Sequence, residues 1–336
     1  MKAIGQLAGV AAMAMMVCAQ VEATDFPAAG GSYLANVAVR LDAAGNSLGT
    51  ATGTMTNCST QSGGPADVMV VPSGVEELAE VVRVCAEHGL QRTVIGGGSN
   101  LLVGDRGIRG VTVCVSADAL GKAKLNIEGD SIQSSASVRK KDFVTACAGK
   151  GFAGMEFMAG IPGCVGGGIM MNAGTVDGNF ADILYRIEYV DAGGAVKRRE
   201  VTPAMARYRR LDVEDGAVIT AGWFRLRRAD DPEAVRLRIQ GILDERAKKH
   251  PLDYPSAGSV FKNPDGHSSW KLVNDAGLKG RRIGGAMVSE LHTNFIINAG
   301  GASSADIREL IETIRETVYT KYGVTLEPEI RLIGEF

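Results

Sequence analysis

The stretch Thr93-Val94-Ile95-Gly96-Gly97-Gly98-Ser99-Asn100-Leu101-Leu102-Val103 runs from a β-branched segment straight into three glycines. β-Branched residues favour strands. Glycine at the end of a strand leaves backbone N–H groups bare, so a pyrophosphate can sit against them with no Cβ in the way. Ser99 adds a hydroxyl donor and Asn100 an amide. The pattern is neither GxGxxG nor GxxxxGK[ST], so both common nucleotide motifs fail. Alone, the loop reads equally well as a tight turn that binds nothing.

A second, longer cluster follows: Gly160-Ile161-Pro162-Gly163-Cys164-Val165-Gly166-Gly167-Gly168, then Asn172-Ala173-Gly174. Pro162 stiffens the turn. Gly166 to Gly168 permit very close approach, and Asn172 with its neighbouring amides is placed to face a ring edge or a diphosphate. Two separate glycine loops imply a ligand larger than a mononucleotide, lying between two lobes.

The rest of the chain is ordinary by comparison. Its 336 residues suggest two domains, with room for a small third. Hydrophobic residues are 45% and charged residues 22%, which excludes a mostly disordered chain. Lys plus Arg number 36 against 38 Asp plus Glu, with no long basic stripe, so no nucleic-acid partner is expected. Glycine is the outlier, 44 residues, well above the usual ~7%. Cysteines 18, 58, 85, 114, 147 and 164 form no CxxC pair and no zinc spacing, so no metal is expected. Ala3 to Val21 carries no charge and passes as a weak signal peptide with cleavage after Ala23. Gln6, Gln20 and the small residues make it a poor membrane span, and no stable membrane association is expected.

Asp67 to Pro72 reads as a strand. Ser73 with Glu76 reads as a capping box, opening a helix with Val75, Leu78, Val81, Val82 and Cys85 on one face and Gly89 at its end. The first segment is therefore β-α-β. Asn126 to Ser137 alternates, and a helix is predicted over 141–150. Ile187 to Val190 and Val196 to Val201 form a hairpin about Asp191-Ala192-Gly193-Gly194, and Val218 to Arg225 is a strand. Pro232 to Lys249 reads as a charged amphipathic helix, Ser304 to Tyr322 as a second, and Glu329 to Ile333 as a closing strand. Residues 24–56 read as extended or loose. The class is α+β with mixed sheets.

Further stretches make a specific likeness. Ser62-Gly63-Gly64-Pro65-Ala66-Asp67 precedes the first loop. Tyr254-Pro255-Ser256-Ala257-Gly258-Ser259-Val260-Phe261-Lys262-Asn263-Pro264 follows the second. Ala276 to Gly280, Gly284 to Ser289, His292 to Asn298 and Leu326 to Arg331 complete the series. In this order, from Gly63 to the end, they resemble the UDP-N-acetylenolpyruvoylglucosamine reductase (MurB) family. The resemblance implies a two-lobed FAD-binding domain of the PCMH/vanillyl-alcohol-oxidase type plus a smaller α+β substrate-binding domain. Residues 57–114 with 325–336 would make the first lobe, 115–230 the second and 231–324 the substrate domain, behind an extension of uncertain structure at 1–56. It implies FAD as cofactor and NADPH as co-substrate. It also implies reduction of UDP-N-acetylglucosamine enolpyruvate to UDP-N-acetylmuramate. Flavin contacts would come from Gly96, Gly97, Gly98, Ser99, Asn100 and Leu101 in the first loop. The second would supply Gly160, Pro162, Gly163, Cys164, Gly166, Gly167, Gly168, Asn172, Ala173 and Gly174.

The resemblance also implies the catalytic groups. Ser259 matches the family's proton donor. Arg209 matches its active-site arginine, able to hold a carboxylate with two hydrogen bonds, with Arg207 and Arg210 as competitors. Glu329 matches its acidic residue, with Glu327 on the same strand face by alternation. Tyr208, Lys262, Asn263 and His292 fall where the family contacts the UDP-sugar. The interval from Arg209 to Ser259 leaves no room for an extra loop module, so the short form is expected. Departures are Cys164 in place of a threonine, the basic Arg139-Lys140-Lys141, and His250 where glutamine is usual. A cytoplasmic monomer is expected, in conflict with the signal-like start. Two other readings compete: a flavoprotein oxidase of the same superfamily, and a non-catalytic flavin- or nucleotide-binding module. The first often attaches flavin to His or Cys in the first loop, which has neither. The second predicts loss of Ser259, Arg209 or Glu329, and all three are present.

Overall fold

The computed structural model describes residues 38–41, 47–51, 59–116, 119–120 and 124–336. The signal-like segment, Cys18 and Cys58 lie outside the described residues. Ala66–Val71, Ile108–Cys114 and Arg92–Ile95 pair in parallel, and Ala38–Leu41 with Ser47–Ala51 extend this sheet on the far edge. So part of the stretch expected to be extended or loose is an antiparallel pair of strands added to the first lobe. Ala66 to Val70 are all buried and, apart from Asp67, which pairs with Arg109, are apolar, as in a strand covered on both faces.

The crossover helix Val75–Glu87 buries Leu78, Val81, Val82 and Cys85, the face expected from the spacing. Its cap differs from expectation by one residue. Gly74 is the N-cap, and the Ser73 amide and hydroxyl both donate to Glu77, not Glu76, at 2.6 Å. Gly89 follows the helix at φ +62°, the left-handed position that favours glycine.

The second lobe is an antiparallel sheet ordered Val196–Glu200, Leu184–Val190, Val218–Arg225, Ser131–Ser135, Leu125–Glu128. The hairpin turn closes on Asp191, whose Oδ1 accepts from Gly193 and Ala195 N–H at 2.9 Å each. One apolar cluster joins the lobes, running from Val68, Leu78 and Val113 to Phe143, Phe180 and Phe224. Phe143 and Phe180 each meet Phe224 edge-on, at 4.9 and 6.0 Å between centroids. The helix Pro232–Lys249 is less amphipathic than its sequence suggests: Val235 is its buried residue, and Leu237 is 66% exposed. Val235 belongs to the cluster shared by the lobes.

The third unit is a sheet ordered Ser256–Ser259, Phe295–Asn298, Ala286–Val288, Arg282–Ile283. The helix Ser304–Tyr322 lies against it and buries Ile307, Leu310, Ile311, Ile314 and Val318, a continuous helical face. Its expected Ser/Asp cap is the reciprocal pair Ser303 and Asp306. Asp105 of the first lobe also caps it, accepting from Ser304 and Ala305 N–H at 2.8 Å each.

The closing strand is shorter than expected, Arg331–Ile333, and pairs in parallel with Leu101–Val103. Leu102 enters the core of the third unit while Val103 enters the first-lobe core. Side chains alternate across a strand, so this one short strand is anchored in two cores. The glycine loop before it is held at their seam.

Candidate active site

A cavity of about 810 Å³ opens at that seam. Both glycine loops line it, and so do Arg209, Ser259 and Glu329. The loops touch each other. A Cβ on Gly97 would stand 2.8 Å from Gly163 Cα, and one on Gly163 would stand 2.5 Å from Ser99 Oγ. Ser99 Oγ donates to Pro162 O at 3.2 Å. Packing alone thus requires glycine at 97 and 163. Gly166 is packed on Ala136, and Gly168 on the ring of Phe180.

Two glycines have a different reason. A Cβ on Gly167 would meet nothing within 4 Å, and one on Gly96 would meet only Val115 O at 3.8 Å. Both line the cavity. Protein packing does not demand glycine there, but a ligand lying flat on the backbone would. This is the cradle an FAD needs, and the residues fit it.

Arg209 has φ +59°, a left-handed conformation that is strained for a side chain bearing Cβ. That turn aims the guanidinium inward, where Nη1 donates to Gly174 O at 3.0 Å. Nε lies 2.8 Å from Glu329 Oε1, yet its N–H has no aligned hydrogen-bond partner, so the contact is an ion pair by distance. Arg207 and Arg210 instead point out, 59% and 64% exposed, and both pair with Asp212. The arginine at the cavity is Arg209.

Glu327 and Glu329 are likewise separated. Glu327 is 70% exposed and pairs with Lys262, while Glu329 is 16% exposed and faces Arg209. They precede the closing strand, so strand alternation does not govern them. Burial pushes the Glu329 carboxyl up, and Arg209 and Lys262 pull it down less strongly. Glu329 N–H donates to Val260 O at 2.7 Å, which ties its backbone to the residue after Ser259. Asn100 is a brace here: Nδ2 donates to Glu329 O at 3.0 Å, and its carbonyl accepts from Arg331 N–H at 3.0 Å.

Several expected contacts do not reach the cavity. Gly163 and Gly168 pack against protein instead. Asn172 is buried with both ends of its amide engaged. Nδ2 donates to Arg207 O at 3.1 Å and Oδ1 accepts from Ala181 N–H at 2.9 Å, so it steadies the arginine turn. Tyr208 is 55% exposed, with the Arg209 guanidinium over its ring at 4.9 Å. Asn263 Oδ1 accepts from Ser269 N–H and Oγ, both at 3.0 Å, capping the helix Ser269–Asp275. His292 packs among His250, Trp270 and Phe295, and burial lowers its basicity.

Other lining residues carried no assignment: Lys140, Arg246, Arg92 and His250. Lys140 and His250 stood out only as departures from the family pattern, and Arg246 read as part of a charged helix face. Among the described residues, no group of His, Cys, Asp and Glu is placed to hold a metal ion, and no helix is long and apolar enough to cross a membrane.

Two lobes joined by one core, with bare-backbone loops meeting over a long cleft, define a flavoprotein of the two-lobed FAD-binding kind. The FAD binding domain profile matches residues 66–199, and the UDP-N-acetylenolpyruvoylglucosamine reductase C-terminal domain profile matches 250–333. UDP-N-acetylenolpyruvoylglucosamine reductase of Geobacter metallireducens is 40% identical over 273 residues, covering 81% of this chain and 89% of that protein. Its counterpart in Lachnoclostridium phytofermentans is 40% identical over 275 residues, covering 81% and 88%. The crystal structure of UDP-N-acetylenolpyruvylglucosamine reductase (MurB) from Thermus caldophilus superposes with a TM-score of 0.71 at 31% identity, covering 82% of this chain and 96% of that one. The chain belongs to the UDP-N-acetylenolpyruvoylglucosamine reductase family.

Proposed function

We infer that this chain is an FAD-dependent reductase that uses NADPH to convert UDP-N-acetylglucosamine enolpyruvate to UDP-N-acetylmuramate, a step of peptidoglycan precursor synthesis. FAD, when bound, carries hydride from NADPH to the enolpyruvyl double bond. Gly96 and Gly167 would hold it on backbone that no side chain covers. The chain's own groups manage the charge and the proton. Hydride arrival at one carbon leaves negative charge on its neighbour and the attached carboxylate. Arg209 binds that carboxylate through its guanidinium fork and stabilises the enolate. Ser259 delivers the proton to the neighbouring carbon. Glu329, whose carboxyl burial pushes up, acts beside it as an acid or by polarising the carboxylate.

The observation that carries this reading is the convergence of Arg209, Glu329 and Ser259 on the cavity that both glycine loops line. Lys262 pairs with Glu327 and does not line the cavity, so its expected contact with the UDP-sugar rests on the family resemblance alone. The protein acts as a monomer in the cytoplasm, where NADPH, FAD and UDP-sugars are supplied, and takes no nucleic-acid partner. An anaerobic titration tests the reading: the flavin absorbance should bleach with NADPH and return with the enolpyruvyl nucleotide. A purified protein that binds no flavin, or whose reduced flavin ignores the nucleotide, would overturn it.

A further inference from the structure

Lys140 begins the helix Lys140–Gly149, yet it is only 5% exposed and lines the cavity. Its Nζ lies 3.8 Å from the position a Cβ would take on Gly163. The ammonium therefore sits where Gly163 of the second loop meets Gly97 and Ser99 of the first. Among the described residues no carboxylate pairs with it. The ionisable groups facing it are Cys164, from the second loop, and Arg246, from the helix Pro232–Lys249. Arg246 also lines the cavity and has no carboxylate partner among the described residues. Its Nη1 donates to Gly160 O at 3.3 Å. On the helix of Lys140 itself, Arg139 and Asp142 are exposed and pair with each other.

A buried ammonium without a counter-ion, such as that of Lys140, is costly, because the water it loses is not replaced. An anion in the cavity beside this junction would remove that cost. We propose that Lys140 and Arg246 clamp the diphosphate of the bound dinucleotide cofactor at the junction of the two glycine loops. This rests on the flavin reading above. Burial, opposed by Cys164 and reinforced by Arg246, pulls the Lys140 ammonium down to about 8. A diphosphate raises it again, so binding at alkaline pH takes up a proton.

The test compares FAD with riboflavin, which lacks the diphosphate, in binding to apo-protein across about pH 6.5–9.5, read by flavin fluorescence. Wild-type affinity for FAD should fall as pH rises through about 8, while affinity for riboflavin does not. Lys140→Met should bind FAD at least about tenfold more weakly at pH 7, bind riboflavin as wild type does, and lose the pH dependence. Lys140→Arg should restore FAD affinity. The wild-type pH series needs no variant, so a variant that fails to fold leaves the proposal exposed to test. Unchanged FAD affinity in a folded Lys140→Met protein, or equal loss for FAD and riboflavin, overturns the clamp and leaves the flavin reading intact. Weakened UDP binding to flavin-loaded Lys140→Met with FAD affinity unchanged also overturns it, by giving the cation to the substrate. A wild-type apo-protein that binds neither flavin removes both.

Discussion

Arg209 Nε stands 2.8 Å from Glu329 Oε1, one group held by a left-handed turn of the second lobe and the other by the chain's return to the first. The two are brought together by backbone. Asn172 holds the carbonyl of Arg207, and Asn100 holds that of Glu329. Burial raises the Glu329 pKa, and Arg209 is the largest influence opposing it.

Arg209→Lys should therefore keep a positive charge but lose the planar fork that grips a carboxylate. We expect kcat/KM for the enolpyruvyl nucleotide to fall about 10–100-fold, the loss of a charge-assisted hydrogen bond, with FAD occupancy unchanged. Steady-state kinetics on protein of measured flavin content checks this. The same loss in Arg207→Lys or Arg210→Lys would contradict the placement of Arg209.

Removing residues 327–336 should abolish turnover. The cut deletes Glu329 and the strand that pairs with Leu101–Val103 behind the first glycine loop. Glu329→Gln separates chemistry from folding: it should retain flavin and lose activity. Turnover in the truncated protein would remove Glu329 from the mechanism.

The glycines of the second loop should answer differently to substitution. Gly168→Ala drives a methyl into the buried ring of Phe180 and should destabilise the fold by about 1–3 kcal/mol, measured by urea unfolding. Gly167→Val meets open cavity, so it should fold normally and lose flavin. Full flavin content in folded Gly167→Val would mean the cradle lies elsewhere.

His250 sets an acid limit. Burial first, then Arg246, His292 and Lys249, lowers its pKa from 6.5 to about 4. A histidine lowered in this way favours the neutral form in the folded state. Its full contribution to stability is present above about 6.5 and is lost as pH falls from there towards about 4. His250→Gln should lose less stability than wild type between pH 7 and 4.5, read from urea midpoints. Equal slopes would show that His250 titrates freely.

What the sequence disclosed was mostly local. The helical face Leu78, Val81, Val82, Cys85 and the hairpin at Asp191 follow from spacing and turn chemistry, and the structure keeps them. The glycine loops were visible too, but not their division of labour: Gly97 and Gly163 are forced by contact between loops far apart in the chain. The choice among Arg207, Arg209 and Arg210 turns on a single positive φ, which no pattern of side chains announces. Glu327 and Glu329 looked alike because strand alternation was applied to residues that precede the strand. The amide of Asn172 suits a ligand and the family resemblance points to Asn263, but both are engaged by backbone N–H groups. Lys140 was legible only as an excess of charge, since its burial depends on the opposite wall.

Stopped-flow absorbance of Ser259→Ala, with each half-reaction followed alone, tests the central claim most directly. NADPH should reduce its flavin at the wild-type rate, whereas reoxidation by the enolpyruvyl nucleotide should slow by about 10²–10⁴-fold, the usual weight of a positioned proton donor. Both half-reactions at full speed would contradict the account.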